Sequence, residues 1–178
     1  MRPHLIVFGG LPGTGKSTLA QQLVARWPAA YLRIDAIEQA LVSSGLLAGD
    51  VGPAGYITAY ALARSNLRAG MSVVADSVNP LPVTRAAWRA VARDTETPVL
   101  EIEVICTDAR MHRRRVETRT SDVPGLRPPG WASVMNHDYA PWTTHRLVVD
   151  TSLLEMDAAV ALIEAALIHG AGGRHADR

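Results

Sequence analysis

"FGGLPGTGKSTLAQQL", Phe8 to Leu23, sets glycines, a lysine and two hydroxyl residues at the point where an apolar run turns polar. Gly10, Gly15, Lys16 and Ser17 fit the spacing G-x-x-x-x-G-K-[ST], with the strand-like "HLIVF" before it and the helical "STLAQQLVARW" after it. That context gives the spacing a mechanism. Gly13 and Gly15 let the backbone turn so that successive N–H groups face one point, where the new helix adds its positive end. A polyphosphate suits such a cradle. Gly10, Pro12, Gly13, Thr14, Gly15, Lys16, Ser17 and Thr18 are therefore expected to bind ATP, with Lys16 at the β- and γ-phosphates and the Ser17 hydroxyl on Mg²⁺.

Outward from this loop, the runs "HLIVF", "AYLRI", "MSVVA", "VLEIEVIC" and "HRLVVD" read as strands. Amphipathic stretches separate them, with helices expected over 16–26, 36–44, 54–69, 83–95, 109–120 and 153–169. Strands alternating with helices predict an α/β fold: a three-layer, five-stranded parallel sheet with helices on both faces and the loop-bearing strand at its centre. One domain is expected over 1–170, with a small helical lid at about 108–135 and a flexible tail over 171–178. "SGLLAGDVGPAG" and "SDVPGLRPPGW" are rich in glycine and proline and read as mobile substrate or lid segments.

The chain has 178 residues, and its 18 basic and 17 acidic side chains leave a formal charge of +1. No overall charge draws it to nucleic acid or to an anionic membrane, so recognition by charge must be local. Cys106 is the single cysteine, which excludes an intrachain disulfide and fits a reducing cytoplasm. No stretch approaches the ~20 apolar residues of a membrane span.

Ligands of open parallel sheets bind beyond the carboxyl ends of the strands. Asp35, after "YLRI", and Asp76, closing "MSVVAD", stand there. One carboxylate can take a proton from an attacking hydroxyl, and the other can serve Mg²⁺. Each also has a structural reading, Asp35 as a helix cap and Asp76 as a turn residue. "TDARMHRRRVETRT" adds five arginines on one predicted helix. Arg110, Arg113 and Arg114 read as a solvated face. Arg115 and Arg119, four apart and next to the proline-rich segment, read as a pair able to swing over the γ-phosphate.

The glycine loop, the aspartate after the second strand, "VVADS-NP" after the third, the Cys-Thr-Asp start of the arginine helix and the late "VVDTS" together resemble the P-loop kinases. The likeness spans about 5–152 and is nearest to the group of chloramphenicol phosphotransferase, zeta-toxin-like sugar-nucleotide kinases and phage polynucleotide kinase. It implies that Asp35 is the base, that Arg115 and Arg119 belong to the lid, and that Thr151 lies by the adenine. Polynucleotide kinases carry an arginine three residues after the aspartate. Here Glu38 stands there, and its charge would repel a nucleic-acid phosphate.

The acceptor is thus expected to be a small molecule bearing a hydroxyl, bound by Asp35, Glu38, Tyr56, Asp76 and Asn79, with catalysis by Lys16, Asp35, Arg115 and Arg119 and metal binding by Ser17 and Asp76. A polynucleotide end kinase and a nucleotide-dependent ATPase or switch are the alternatives. The motifs specify neither the acceptor nor an oligomeric state. Tyr56 and Tyr60, four apart on one helix, suit either a pocket wall or the core.

Overall fold

A computed structural model of the chain describes residues 2–45 and 51–172. Strands β1 (Leu5–Gly9), β2 (Ala29–Arg33), β3 (Ser72–Asp76), β4 (Val99–Ile105) and β5 (Leu147–Asp150) make one parallel sheet, ordered β2-β3-β1-β4-β5. The helices among the described residues are α1 (Lys16–Arg26), α2 (Ile34–Ser43), α3 (Ala54–Arg68), α4 (Pro82–Asp94), α5 (Ala109–Thr118), α6 (Trp131–Met135) and α7 (Met156–Gly172).

β1 is buried along its whole length because it is apolar on both faces, which only an interior strand tolerates. Its side chains divide by parity. Ile6 and Phe8 pack with Leu19 and Leu23 of α1 and with Val160 and Ile163 of α7. Leu5 and Val7 pack on the opposite face with Ala59 and Ala63 of α3 and Trp88 and Val91 of α4. β2 and β3 lie to one side of β1, and β4 and β5 to the other. The carboxyl end of β1, where the glycine loop begins, is therefore the crevice in which such sheets hold ligands.

Three details depart from the sequence reading. α2 starts at Ile34, directly after β2, with Arg33 as its N-cap, so Asp35 sits in the first helical turn and does not cap. α6 lies inside the predicted lid, where five residues carry too little periodicity to be read. α7 begins at Met156, because Asp150 ties down the turn after β5 by accepting from the Ser152 N–H at 2.9 Å and the Ser152 hydroxyl at 2.6 Å. The mobility expected of "SGLLAGDVGPAG" falls in part on 46–50, and that of the tail on 173–178, outside the described residues. Among the described residues no helix is long and apolar enough to cross a membrane.

Candidate active site

The glycine loop is shaped by two close approaches. Gly10 has φ +142°, and a Cβ there would meet the Val104 carbonyl oxygen of β4 at 2.2 Å. Gly13 has φ +86°, and a Cβ would fall 2.4 Å from Cγ2 of Val116 on α5. Only glycine allows both the left-handed turn and the contact. The same contact docks α5 on the loop: Nε2 of the buried His112 donates to the Pro12 carbonyl at 2.8 Å, and its ring meets Trp131 edge-on. Beneath the loop, the Thr14 hydroxyl donates to the Leu11 carbonyl at 2.9 Å. No side chain caps α1, whose N-cap is Gly15. Its first N–H groups and dipole are left for an anion. Lys16 is only 6% exposed, yet among the described residues its ammonium forms no hydrogen bond or ion pair.

A cavity of about 710 Å³ opens in front of the loop. Gly13, Gly15, Lys16, Ser17 and Thr18 form its floor, Met111 and Arg115 of α5 and Arg119 at its C-cap form a second wall, and Thr151 to Met156 close the third. The two arginines differ. Arg115 is held on the turn after β5, donating to the Thr151 hydroxyl at 2.7 Å and the Thr151 carbonyl at 3.1 Å. That hydroxyl donates in turn to the Thr14 carbonyl at 2.7 Å, so Arg115, Thr151 and the loop form one chain of contacts. Arg119 lines the cavity with no hydrogen-bond or ion-pair partner among the described residues. Arg110, Arg113 and Arg114 are exposed, and Arg113 pairs with Glu117 at 2.8 Å.

Asp76 ends β3 beside Phe8 of β1 and Arg33 of β2. It is 2% exposed; Oδ2 accepts from the Tyr31 hydroxyl at 2.7 Å, whereas Oδ1 is sealed and has no partner. An unfilled, buried carboxylate oxygen is costly unless something binds it. With the Ser17 hydroxyl in the first turn of α1, a carboxylate of this kind is a donor set that suits Mg²⁺, which takes one or two protein oxygens and completes its shell with phosphate and water. Burial and the Asp76 carboxylate push the Tyr31 phenol far above its ordinary range, so it stays a donor. Arg33, on the same face of β2, gives Nη1 to both oxygens of Asp122 at 2.7 Å. This pair fastens the loop after α5 to the sheet, and the guanidinium holds Asp122 below the usual carboxylate range.

Of the expected acceptor residues, none of Asp35, Glu38, Tyr56, Asp76 or Asn79 lines the large cavity. The Glu38 side chain lies against Gly55, where a Cβ would sit 2.2 Å from Glu38 Cγ. The Tyr56 hydroxyl accepts from the Asn79 N–H at 3.0 Å. Its pKa is pushed up to about 12, chiefly by burial, with Glu38 and Asp35 adding to the rise. Tyr60 serves the core, its ring 4.6 Å from that of Trp88 and edge-on to it. Asp35 is half-buried and forms no hydrogen bond or ion pair among the described residues. Asn79 is fully buried at φ +49°, with both side-chain amide atoms unpartnered.

Sequence reasoning missed Tyr31, Arg33, Asp122, His112 and Arg85. Arg85, 3% exposed, donates to the carbonyls of Asn79, Pro80, Ala140 and Pro141, and lies 4.1 Å over the Trp142 ring. It knits the loop after β3 to the segment before β5. The one available signal was an arginine within the otherwise apolar face of α4, which also carries Trp88 and Ala92.

A family model described as an AAA domain matches residues 5–125. Among curated proteins, an uncharacterized protein of Mycobacterium tuberculosis is 32% identical over 58% of this chain and 23% of its own length. The chain thus spans about a quarter of the curated relatives it matches. Among solved structures, the APS kinase CysC of Mycobacterium tuberculosis in complex with AMPPNP and APS superposes with a TM-score of 0.69 at 18% identity, covering 94% of this chain and 98% of that one. A sugar kinase from Janibacter gives 0.68 at 16% identity, covering 94% and 95%. Kti12 of Chaetomium thermophilum, in complex with ADP-AlF3, gives 0.66 at 22% identity, covering 91% and 98%. At such identities the likeness speaks to the fold.

Proposed function

Since this chain belongs to the AAA domain family, whose model matches residues 5–125, we propose that it is an ATP-dependent phosphotransferase moving the γ-phosphate of ATP to a hydroxyl of a small molecule. One juxtaposition carries this reading. Lys16, buried and without a partner among the described residues, follows β1 at the same end of the sheet at which Asp35 and Asp76, two carboxylates with unused oxygens there, follow β2 and end β3. A structural salt-bridge cluster would have paired them.

In this reading the first N–H groups of α1 and Lys16 hold the phosphates of ATP, and Thr151 backs the nucleotide cavity. Mg²⁺, held by Ser17 and Asp76, would neutralise charge across the β- and γ-phosphates. Asp35 accepts the proton of the acceptor hydroxyl as its oxygen bonds to the γ-phosphorus; the bond from that phosphorus to the bridging oxygen breaks, and ADP leaves. Arg119, on the cavity wall with no partner among the described residues, neutralises the charge that develops on the transferring group. Glu38, Tyr56 and Asn79 shape the acceptor subsite, and 108–135 acts as the lid. Glu38 disfavours a polynucleotide acceptor by repelling its phosphate. The single cysteine suits a reducing cytoplasm, which also supplies ATP.

The test is a thermal-shift screen of hydroxylated metabolites, nucleosides and phenicol or aminoglycoside antibiotics with an unhydrolysable ATP analogue, followed by transfer assays on the hits. Asp35→Asn should bind ATP and lose transfer, because an amide takes no proton. Lys16→Ala should lose turnover and remain folded. ATP hydrolysis that no hydroxyl compound stimulates would favour a switch, and phosphorylation of an oligonucleotide end would favour an end kinase.

A further inference from the structure

Buried to 2% exposure, Asp76 must do two things that conflict if its carboxylate is free to rotate: satisfy itself away from bulk solvent, and keep an oxygen ready for a cation. The fold resolves the conflict through the edge strand. Tyr31 and Asp76 belong to strands paired in register, with Tyr31 opposite Val74 and Arg33 opposite Asp76. Tyr31 lies on the α1 side of the sheet, packed against the same cluster as Val74, two residues before Asp76. Its hydroxyl therefore reaches Asp76 Oδ2 at 2.7 Å from within the sheet layer, and Oδ1 remains buried and unpartnered. The neighbouring cation does not compete for that oxygen, because Arg33 gives its Nη1 to Asp122.

We infer that Tyr31 is a positioning residue for metal capture: by occupying Oδ2 it fixes the plane of the Asp76 carboxylate and dedicates Oδ1 to the Mg²⁺ of the bound nucleotide, directly or through a water. The inference rests on the reading of Asp76 as the metal carboxylate. Groups that orient a metal ligand typically change metal affinity or activity by about 10- to 100-fold when removed. Without the phenol hydroxyl the plane of the carboxylate is no longer fixed, and it spends part of its time turned so that neither oxygen faces the metal, a loss felt by the metal and not by the nucleotide.

The experiment compares wild type, Tyr31→Phe and Asp76→Asn, with Mn²⁺ as the probe, read by electron paramagnetic resonance in the presence of ADP. Metal-free ADP affinity is measured by calorimetry, and folding by thermal unfolding. Tyr31→Phe keeps the ring, and should unfold near the wild-type temperature and bind metal-free ADP within about 2-fold of wild type. Its Mn²⁺ affinity in the ADP complex should fall about 10-fold or more. An unchanged Mn²⁺ affinity in Tyr31→Phe, with a clear loss in Asp76→Asn, would overturn the role of Tyr31 alone. Unchanged affinity in both variants would remove Asp76 from the metal site and the inference with it. A parallel loss of metal-free ADP binding and of thermal stability, with Mn²⁺ affinity in the remaining complex intact, would make Tyr31 merely structural and also overturn it.

Discussion

Replacing Arg85 by methionine separates what a buried guanidinium contributes from what it costs. The side chain makes four hydrogen bonds to main-chain carbonyls at 2.7 to 3.1 Å and, among the described residues, faces no carboxylate within ion-pair distance. Burial pushes its pKa down, which is the signature of a charge held away from water. Methionine keeps most of the stem and removes the donors. The Pro80 carbonyl still receives the Ala140 N–H at 3.0 Å, and the exposed Pro141 carbonyl can turn to water. The fully buried Asn79 carbonyl and the half-buried Ala140 carbonyl lose their donor. Two hydrogen bonds from a charged group are worth about 3–6 kcal/mol together. The contact over Trp142 adds about 1–2 kcal/mol. Desolvation of the guanidinium offsets several kcal/mol of this. A net loss of about 3 kcal/mol is expected, which in a domain of this size lowers Tm by roughly 6–12 °C. Scanning calorimetry of wild type and Arg85→Met measures it. A Tm within about 2 °C of wild type, or above it, would refute the reasoning by making the desolvation cost equal to the bonds. The acceptor KM should rise as well, because the same carbonyl bonds hold the Asn79 turn.

Arg119→Ala should lower kcat by about 10³-fold with ATP affinity nearly unchanged, whereas Arg115→Ala should act mainly on nucleotide affinity through Thr151 and the loop. Equal kcat losses in steady-state assays would instead place both guanidinium groups over the phosphate, and Arg113→Ala is the exposed control. His4 is 6% exposed, and burial lowers its pKa below the ordinary 6.5. As pH falls through that value the unfolded chain binds more protons than the folded one, so stability should be level well above 6.5 and fall as pH drops through about 6.5. In denaturant titrations His4→Phe should flatten that slope, and an unaltered slope would exclude His4 as its origin.

Lys16, Ser17 and the turn glycines were readable because the cradle is local: one strand, one turn and one helix start within a single stretch of chain. The order of layers was readable for a similar reason, since a run apolar on both faces such as 5–9 has no stable place but the centre of a sheet. Asp35 and Asp76 could be put at the right edge by that logic, but not their partners. Tyr31 and Asp76 are 45 residues apart, Arg33 and Asp122 89, and Thr14 and Thr151 137. Whether Asp76 keeps a free oxygen depends on strand register, and a slip of one residue would turn Tyr31 to the other face. Arg115 and Arg119 look equivalent in the sequence, being one helical turn apart. They diverge because α5 ends at Thr118, leaving Arg119 in extended backbone at φ −71°, ψ 140° while Arg115 stays on the helix face beside Thr151. Periodicity and turn chemistry act over a few residues and can be read along the chain, whereas the pairing of polar groups across the sheet edge is decided only when closed loops bring distant residues within hydrogen-bond reach.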